Sequence, residues 1–192
     1  MTGQKNRFKT TEKLWDLDDK QLKTPKHDAM VLWLMDKDNY INYFDFPKKI
    51  KDVKVIGRHG LEWYANVCLD KIISKSELPV MSSKTFLAGY IDLAIIGNYL
   101  INGSECKTPY FYSVYHMIEI KPRIDSFGAV LRQINSYKQF RSNQHIKNGY
   151  DAGYYLFTLD SRFDNQFESQ GIKVLHPPED VTIEDMVKMY GL

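Results

Sequence analysis

Cysteine is scarce in this chain. Among 192 residues only Cys68 and Cys106 are cysteines, and they stand far apart. Two such residues cannot supply a four-cysteine zinc or iron–sulfur site, and nothing in their placing suggests a disulfide scaffold. Long apolar runs are also missing. The longest, Ala29 to Met35, is far too short to span a bilayer, and the opening MTGQKNRFKTTEK has no apolar core of the secretory kind. Neither sign of charge prevails: 26 Lys and Arg face 24 Asp and Glu, a net charge of +2. Such balance neither demands nor forbids a polyanionic partner, so only local clustering of charge can argue for one. There is no internal repeat and no low-complexity segment. These absences lead us to expect a soluble, cytoplasmic protein with no membrane partner.

What is present is ordinary globular material. Apolar residues make up 43% and charged residues 26%, enough for a packed core without staples, and aromatics are plentiful with 13 Tyr. The length suggests one domain with a small appendage. We place the appendage at 1–54, as a helical or hairpin extension, and the main domain at 55–192. Within the extension, 11–22 is weakly amphipathic. Thr24-Pro25 is a good helix start, a capping hydroxyl followed by proline in the first turn. The run HDAMVLWLMD after it suits either a buried helix or a strand, and its periodicity does not choose. Lys48, Lys49, Lys51, Asp52 and Lys54 read as a charged link.

From Gly60 the pattern predicts a helix over LEWYANVCLDKII, with Leu61, Tyr64, Ala65, Cys68, Leu69 and Ile72 at helical spacing. It then predicts strands over 79–82 and 86–96, a hairpin tip at Asn102-Gly103, and a strand over 110–120. A helix over 126–141, a strand over 154–159, a helix over 162–169 and a strand over 172–176 follow. A last helix over 183–190 is capped by Thr182.

The informative positions are polar residues that interrupt apolar strands. In GYIDLAII, Asp92 shares a side with Tyr90, Ala94 and Ile96; in VYHMIEIKP, Glu119 shares a side with Tyr115, Met117 and Lys121. If these strands pair, Asp92 and Glu119 converge beside Lys121. Two carboxylates with a backbone carbonyl make a hard-oxygen site of the kind Mg²⁺ prefers, and a lysine near a metal-bound water suits phosphodiester hydrolysis. An ion pair tying two strands is the plain alternative.

Gly89-Tyr-Ile-Asp92, then Glu119-Ile-Lys121, then Gln133-Ile-Asn-Ser-Tyr137 resembles the PD-(D/E)XK nuclease superfamily, in its RecB-like branch, over about residues 60–176. Glu77-Leu-Pro-Val80 is similar to that branch's Glu-x-Pro-apolar lead-in. The resemblance implies an α/β, restriction-endonuclease-like core: helix, three-stranded meander, helix, strand, helix, strand. It implies Mg²⁺ or Mn²⁺ held by Asp92, Glu119 and the carbonyl of Ile120, with Lys121 directing the attacking water and Gln133 holding that water or a phosphate oxygen. Glu62 is a candidate further metal ligand from the first helix, and His59 is its rival, because some members use an upstream histidine. His27, His116, His145 and His176 show no ligand spacing. The missing cysteine set excludes the iron–sulfur variety.

For substrate contact the candidates are Tyr137 and the cations Arg123, Arg132 and Lys138, with Arg141 and Lys147 further along; Tyr90, Tyr112 and Tyr115 are candidates for stacking on bases. The expected partner is nucleic acid, DNA before RNA, and a homodimer would suit cutting of both strands. The alternative function is a non-catalytic nucleic-acid-binding or assembly module on a nuclease-like fold.

Overall fold

A computed structural model of the chain describes residues 24–56, 62–81, 87–101, 111–142 and 150–192. The first element is helix α1, Pro25–Met35. Its start is set locally: the Thr24 side chain accepts from the His27 N–H, and Pro25 occupies the first turn, where its missing N–H costs nothing. Ala29, Met30, Val31, Trp33 and Leu34 are all buried. A helix buried nearly all round carries no clear amphipathic stripe, which is why its periodicity does not separate helix from strand. Asp36 ends α1 and caps the short α2, Lys37–Tyr40.

Four strands follow: β1 (Lys49–Ile56), β2 (Glu62–Met81), β3 (Leu87–Ile101) and β4 (Phe111–Lys121). Helix α3 (Phe127–Ser142) leads to β5 (Tyr150–Thr158). A 3-10 turn, the short α4 (Asp164–Ser169), β6 (Lys173–Leu175) and α5 (Ile183–Tyr190) complete the described chain. The six strands form one sheet in sequence order. The β1–β2, β2–β3 and β3–β4 pairs are antiparallel, and β4–β5 and β5–β6 are parallel.

Each face of the sheet carries its own core. On one, Met30, Trp33 and Leu34 of α1 and Met186 of α5 pack on Leu93, Ile95, Ile118, Ile120 and Phe157. The Trp33 ring stacks on Phe157, with centroids 5.8 Å apart. On the other, Val130 and Ile134 of α3 and Phe167 of α4 pack on Leu156 and Ile172. This is a mixed α/β architecture. No helix among the described residues is long and apolar enough to cross a membrane.

Several expectations are corrected. The segment LEWYANVCLDKII is strand, not helix, over its described residues. Trp63, Ala65, Val67 and Leu69 turn toward a small core with Val53 and Tyr99, while Tyr64 between them is 70% exposed, a period of two that the apolar residues at helical spacing conceal. The lysine-rich link is edge strand β1, whose exposed Lys49, Lys51 and Lys54 discourage pairing with another chain. A domain boundary at 54 therefore cuts β1, and α1, assigned to an extension, is part of the main core. The short strand at 79–82 is the end of the much longer β2. Pro79 is tolerated there because β1 pairs only with the first part of β2 and leaves this end as an edge. The hairpin tip at Asn102-Gly103 lies outside the described residues.

Candidate active site

The ladder between β3 and β4 runs from Leu100–Phe111 to Leu93–Ile118. One step beyond its end stand Asp92 and Glu119. Here a side chain takes over from the backbone: Asp92 Oδ2 accepts the Ile120 N–H at 2.8 Å. The buried carboxylate is thus held by a backbone donor of the neighbouring strand, which satisfies both groups at once. The Lys121 ammonium hydrogen-bonds Glu119 Oε1 and lies 3.8 Å from Asp92 Oδ2. The three side chains expected to converge do so. Asp92 and Glu119 are almost wholly buried, whereas Lys121 is partly exposed.

Two buried carboxylates facing each other strain the site electrostatically. Burial first, and then the Asp92 charge, push the Glu119 carboxyl up to about 8, and Lys121 opposes this only in part. Glu119 Oε2 is buried with no hydrogen-bond partner among the described residues. Among those residues, no three His, Cys, Asp or Glu side chains already stand as a metal-holding group; the Lys121 ammonium supplies the positive charge at Glu119.

Helix α3 is tied to the Asp92 strand through two residues one turn apart. Gln133 Nε2 donates to the Tyr137 hydroxyl at 2.7 Å, and that hydroxyl donates to the Tyr90 carbonyl at 2.8 Å. Tyr137 is buried, and its phenol is held well above the usual range by burial and then by Glu119. Gly89 lies beside the ring with φ +156°, a backbone conformation that other residues rarely adopt, while a Cβ there would meet Tyr137 Cε1 at 3.4 Å, an ordinary contact distance. The glycine that opens the Gly-Tyr-Ile-Asp run thus answers to the backbone of β3 rather than to the space the ring needs.

The turn after Lys121 is fixed as well. Asp160 Oδ2 accepts the Ile124 N–H at 3.1 Å, and Arg162 Nη2 donates to the Ile124 carbonyl at 3.0 Å. Pro122 ends the strand without freeing the lysine backbone to wander, because Ile124 is anchored to the end of β5.

The sequence does not point to His27. Fixed in the first turn of α1 by the Thr24–Pro25 start, it is 5% exposed, and its Nε2 lies 3.4 Å from Asp92 Oδ2. Its Nδ1 lies 3.2 Å from Asp28 Oδ1. Spacing along the chain carries no signal for this, since α1 reaches Asp92 only through packing on the sheet. The one sequence cue is a pair of ionisable residues opening an otherwise apolar run.

The remaining candidates are less central. Glu62 opens β2 opposite Ile56. The pairs Ser76–Leu93 and Leu78–Ile91 bracket Glu77 and Asp92, so fifteen positions, about 50 Å of extended strand, separate Glu62 from the part of β2 beside Asp92. It is not brought to the site. His59 lies outside the described residues, as do Lys147 and the side chain of Arg141. Ile120 sits between Glu119 and Lys121 with its side chain in the core. Arg123 is exposed and paired with Asp125 at 3.5 Å, and Arg132 is an exposed residue of α3. The Lys138 ammonium stands over the Tyr154 ring, 5.6 Å from its centroid, and burial lowers its pKa. Tyr112 packs edge-on to Tyr99, and Tyr115 is half-buried.

No family model matches this chain, and neither a curated protein nor a solved structure matches it.

Proposed function

We propose that this chain is a nuclease that hydrolyses phosphodiester bonds with Mg²⁺ or Mn²⁺, acting on DNA in preference to RNA. The observation that carries the reading is the meeting of Asp92, Glu119 and Lys121 where β3 and β4 part. The order around that point is helix, four-stranded antiparallel meander, helix, parallel strand; it differs from the expected core by the extra edge strand β1, and a helix, α1, precedes the meander where one was expected over 61–73.

The donor set fits a divalent cation. Asp92, Glu119 and the Ile120 carbonyl are hard-oxygen donors and would hold it. When bound, the ion supplies a Lewis acid that polarises a phosphate oxygen and acidifies a water. The chain's residues do the rest. Lys121, moving off Glu119, donates to the attacking water and offsets charge on the pentacoordinate phosphorus. The water oxygen bonds to phosphorus as the bond to the leaving sugar oxygen breaks; the attacking water's proton passes to bulk solvent, and a solvent water protonates the departing oxygen. Gln133 orients the water or a phosphate oxygen from the Tyr137 anchor, and the exposed Arg123 and Arg132 would receive backbone phosphates, Arg123 by giving up its pair with Asp125.

The test is incubation of the full chain with circular and linear, single- and double-stranded DNA and RNA, with Mg²⁺, Mn²⁺ or chelator. Metal-dependent cutting that favours DNA is expected. Binding without cutting under every condition would favour the non-catalytic module instead.

A further inference from the structure

Strand β2 runs well past the carboxylates, and a bulge interrupts its ladder to β1 and another its ladder to β3. Residues directly opposite in a ladder share a face of the sheet. Lys54 stands opposite Tyr64, and Lys49 opposite Cys68. These lysines are five positions apart, so an unbroken strand would send them to opposite faces; the bulge between Ile50 and Val53 brings both to the face of Tyr64. That bulge is held in place: Asp52 takes a left-handed φ of +53°, and its N–H donates to Asn66 Oδ1 at 3.4 Å. The second bulge, between Leu69 and Lys71, does the same for Lys71. Without it Lys71 would turn to the apolar side with Leu69; with it, Lys71 stands opposite Asn98, on the face of Cys68 and Leu100. Lys75 follows opposite Ala94, which shares its face with Asp92. All four lysines are exposed, as is Tyr64 between them and the strand's start.

We propose that this face of β1 and β2 is a track for an unpaired strand of nucleic acid, leading to Asp92 and Glu119. The substrate class rests on the nuclease reading, and the alignment of the cations rests on the ladders. Lysines in file offer one ammonium after another to a single phosphate backbone. An exposed tyrosine ring gives a base a stacking surface only when that base is unpaired, which favours a single strand over a duplex. The acids of this ribbon do not break the file: Glu62 and Glu77 stand beyond its ends, and Asp52 and Asp70 are the residues that the bulges leave out of the ladders. A plainer role for the β1 lysines is to guard a sheet edge against other chains. Guarding an edge needs charge but not charge on one face, and it gives no reason for an exposed ring on β2, where β1 already covers the strand.

Fluorescence anisotropy of the full chain in chelator reads binding without cutting. The probe is an oligothymidylate of about 25 nucleotides, long enough to cover the roughly 36 Å of strand from Lys75 to Tyr64. Wild type should bind it more tightly than a duplex of the same length. Lys71→Gln with Lys75→Gln, and Lys49→Gln with Lys54→Gln, should each lower the slope of log affinity against log salt by about 1.4, twice the roughly 0.7 of one phosphate contact on a single strand. Lys188→Gln, on the α5 helix that packs against the other face, also removes a positive charge and should leave the slope close to wild type. Tyr64→Leu should weaken binding by about 5–100-fold with the slope unchanged, and Tyr64→Phe should keep wild-type affinity. Circular dichroism checks that each variant is folded. A duplex held at least as tightly as the single strand, lysine variants indistinguishable from Lys188→Gln, or a Tyr64→Leu variant that binds like wild type overturns the proposal. If the chain still cuts nucleic acid with Mg²⁺ after such a result, the nuclease reading stands without the track. If the single strand binds as expected and no metal brings cutting, the track stands and the nuclease reading falls.

Discussion

Asp92 and Lys121 touch the same small volume but carry different parts of the proposed chemistry. Asp92→Asn removes a formal charge from the residues that would hold the ion, so Mn²⁺ affinity and cutting should both fall. Lys121→Met leaves the carboxylates in place and removes a cation beside them, so Mn²⁺ binding should persist or tighten. Cutting should still drop by about 10²–10³-fold, because the lost interaction belongs to the transition state. Calorimetry and a DNA-cutting assay on both variants read this contrast, and a Lys121→Met variant that cuts at the wild-type rate would remove Lys121 from the mechanism. Glu119 makes a prediction about stability. Its carboxyl sits at about 8 in the fold, against an ordinary value of 4.5. Between those values Glu119 binds more proton in the folded chain than in the unfolded chain, so its own contribution to metal-free stability is full below about pH 4.5 and is lost as the pH rises through 8. Glu119→Gln should flatten that fall, raising stability at pH 8 by on the order of a few kcal/mol and changing little at pH 4. Urea unfolding in chelator at several pH values measures it. These residues are legible in the sequence because polar side chains inside apolar strands are costly and therefore conspicuous. His27 and Asp28 are not, because they stand at a helix start, where ionisable residues are commonplace.

Among the elements, α3 and β3 depend on one another. Tyr137→Phe removes the donor to the Tyr90 carbonyl and the acceptor for Gln133. It should cost about 1–3 kcal/mol in urea unfolding, and cutting should fall because Gln133 loses its anchor, while Mn²⁺ affinity stays close to wild type. A matched loss of Mn²⁺ affinity would mean that α3 shapes the carboxylate pair itself. The helices over 126–141 and 183–190 are readable because each has a polar face and a local start; Thr182 and Asp185 form a reciprocal capping box at α5, and Gly191 closes it in the left-handed region at φ 65°. Strand β2 is hidden because Leu61, Tyr64, Ala65, Cys68, Leu69 and Ile72 satisfy a helical period by accident of composition. Only the ladders to β1 and β3 select the alternating one.

For the whole molecule, the consequence is that the chain cannot be divided at residue 54. A fragment of residues 55–192 would lose α1 and most of β1, and would expose Leu93, Ile95, Ile118, Ile120 and Phe157, which Met30, Trp33 and Leu34 now cover. We expect such a fragment to lack a cooperative thermal transition and near-ultraviolet dichroism, where the full chain shows both. A fragment as stable as the full chain would make α1 dispensable to the core. The sequence by itself determined the meeting of Asp92, Glu119 and Lys121, which follows from alternation in paired strands, a local rule; Gln133 is singled out only by the family resemblance. The tertiary structure alone decided what faces them from α1. His27 lies 65 positions before Asp92, and its approach depends on which side of the sheet α1 covers, a choice made by burial of Met30, Trp33 and Leu34 rather than by any pattern near the histidine. Packing between distant segments has no local period, so the sequence carried the site's carboxylates and lysine openly and left its histidine to the fold.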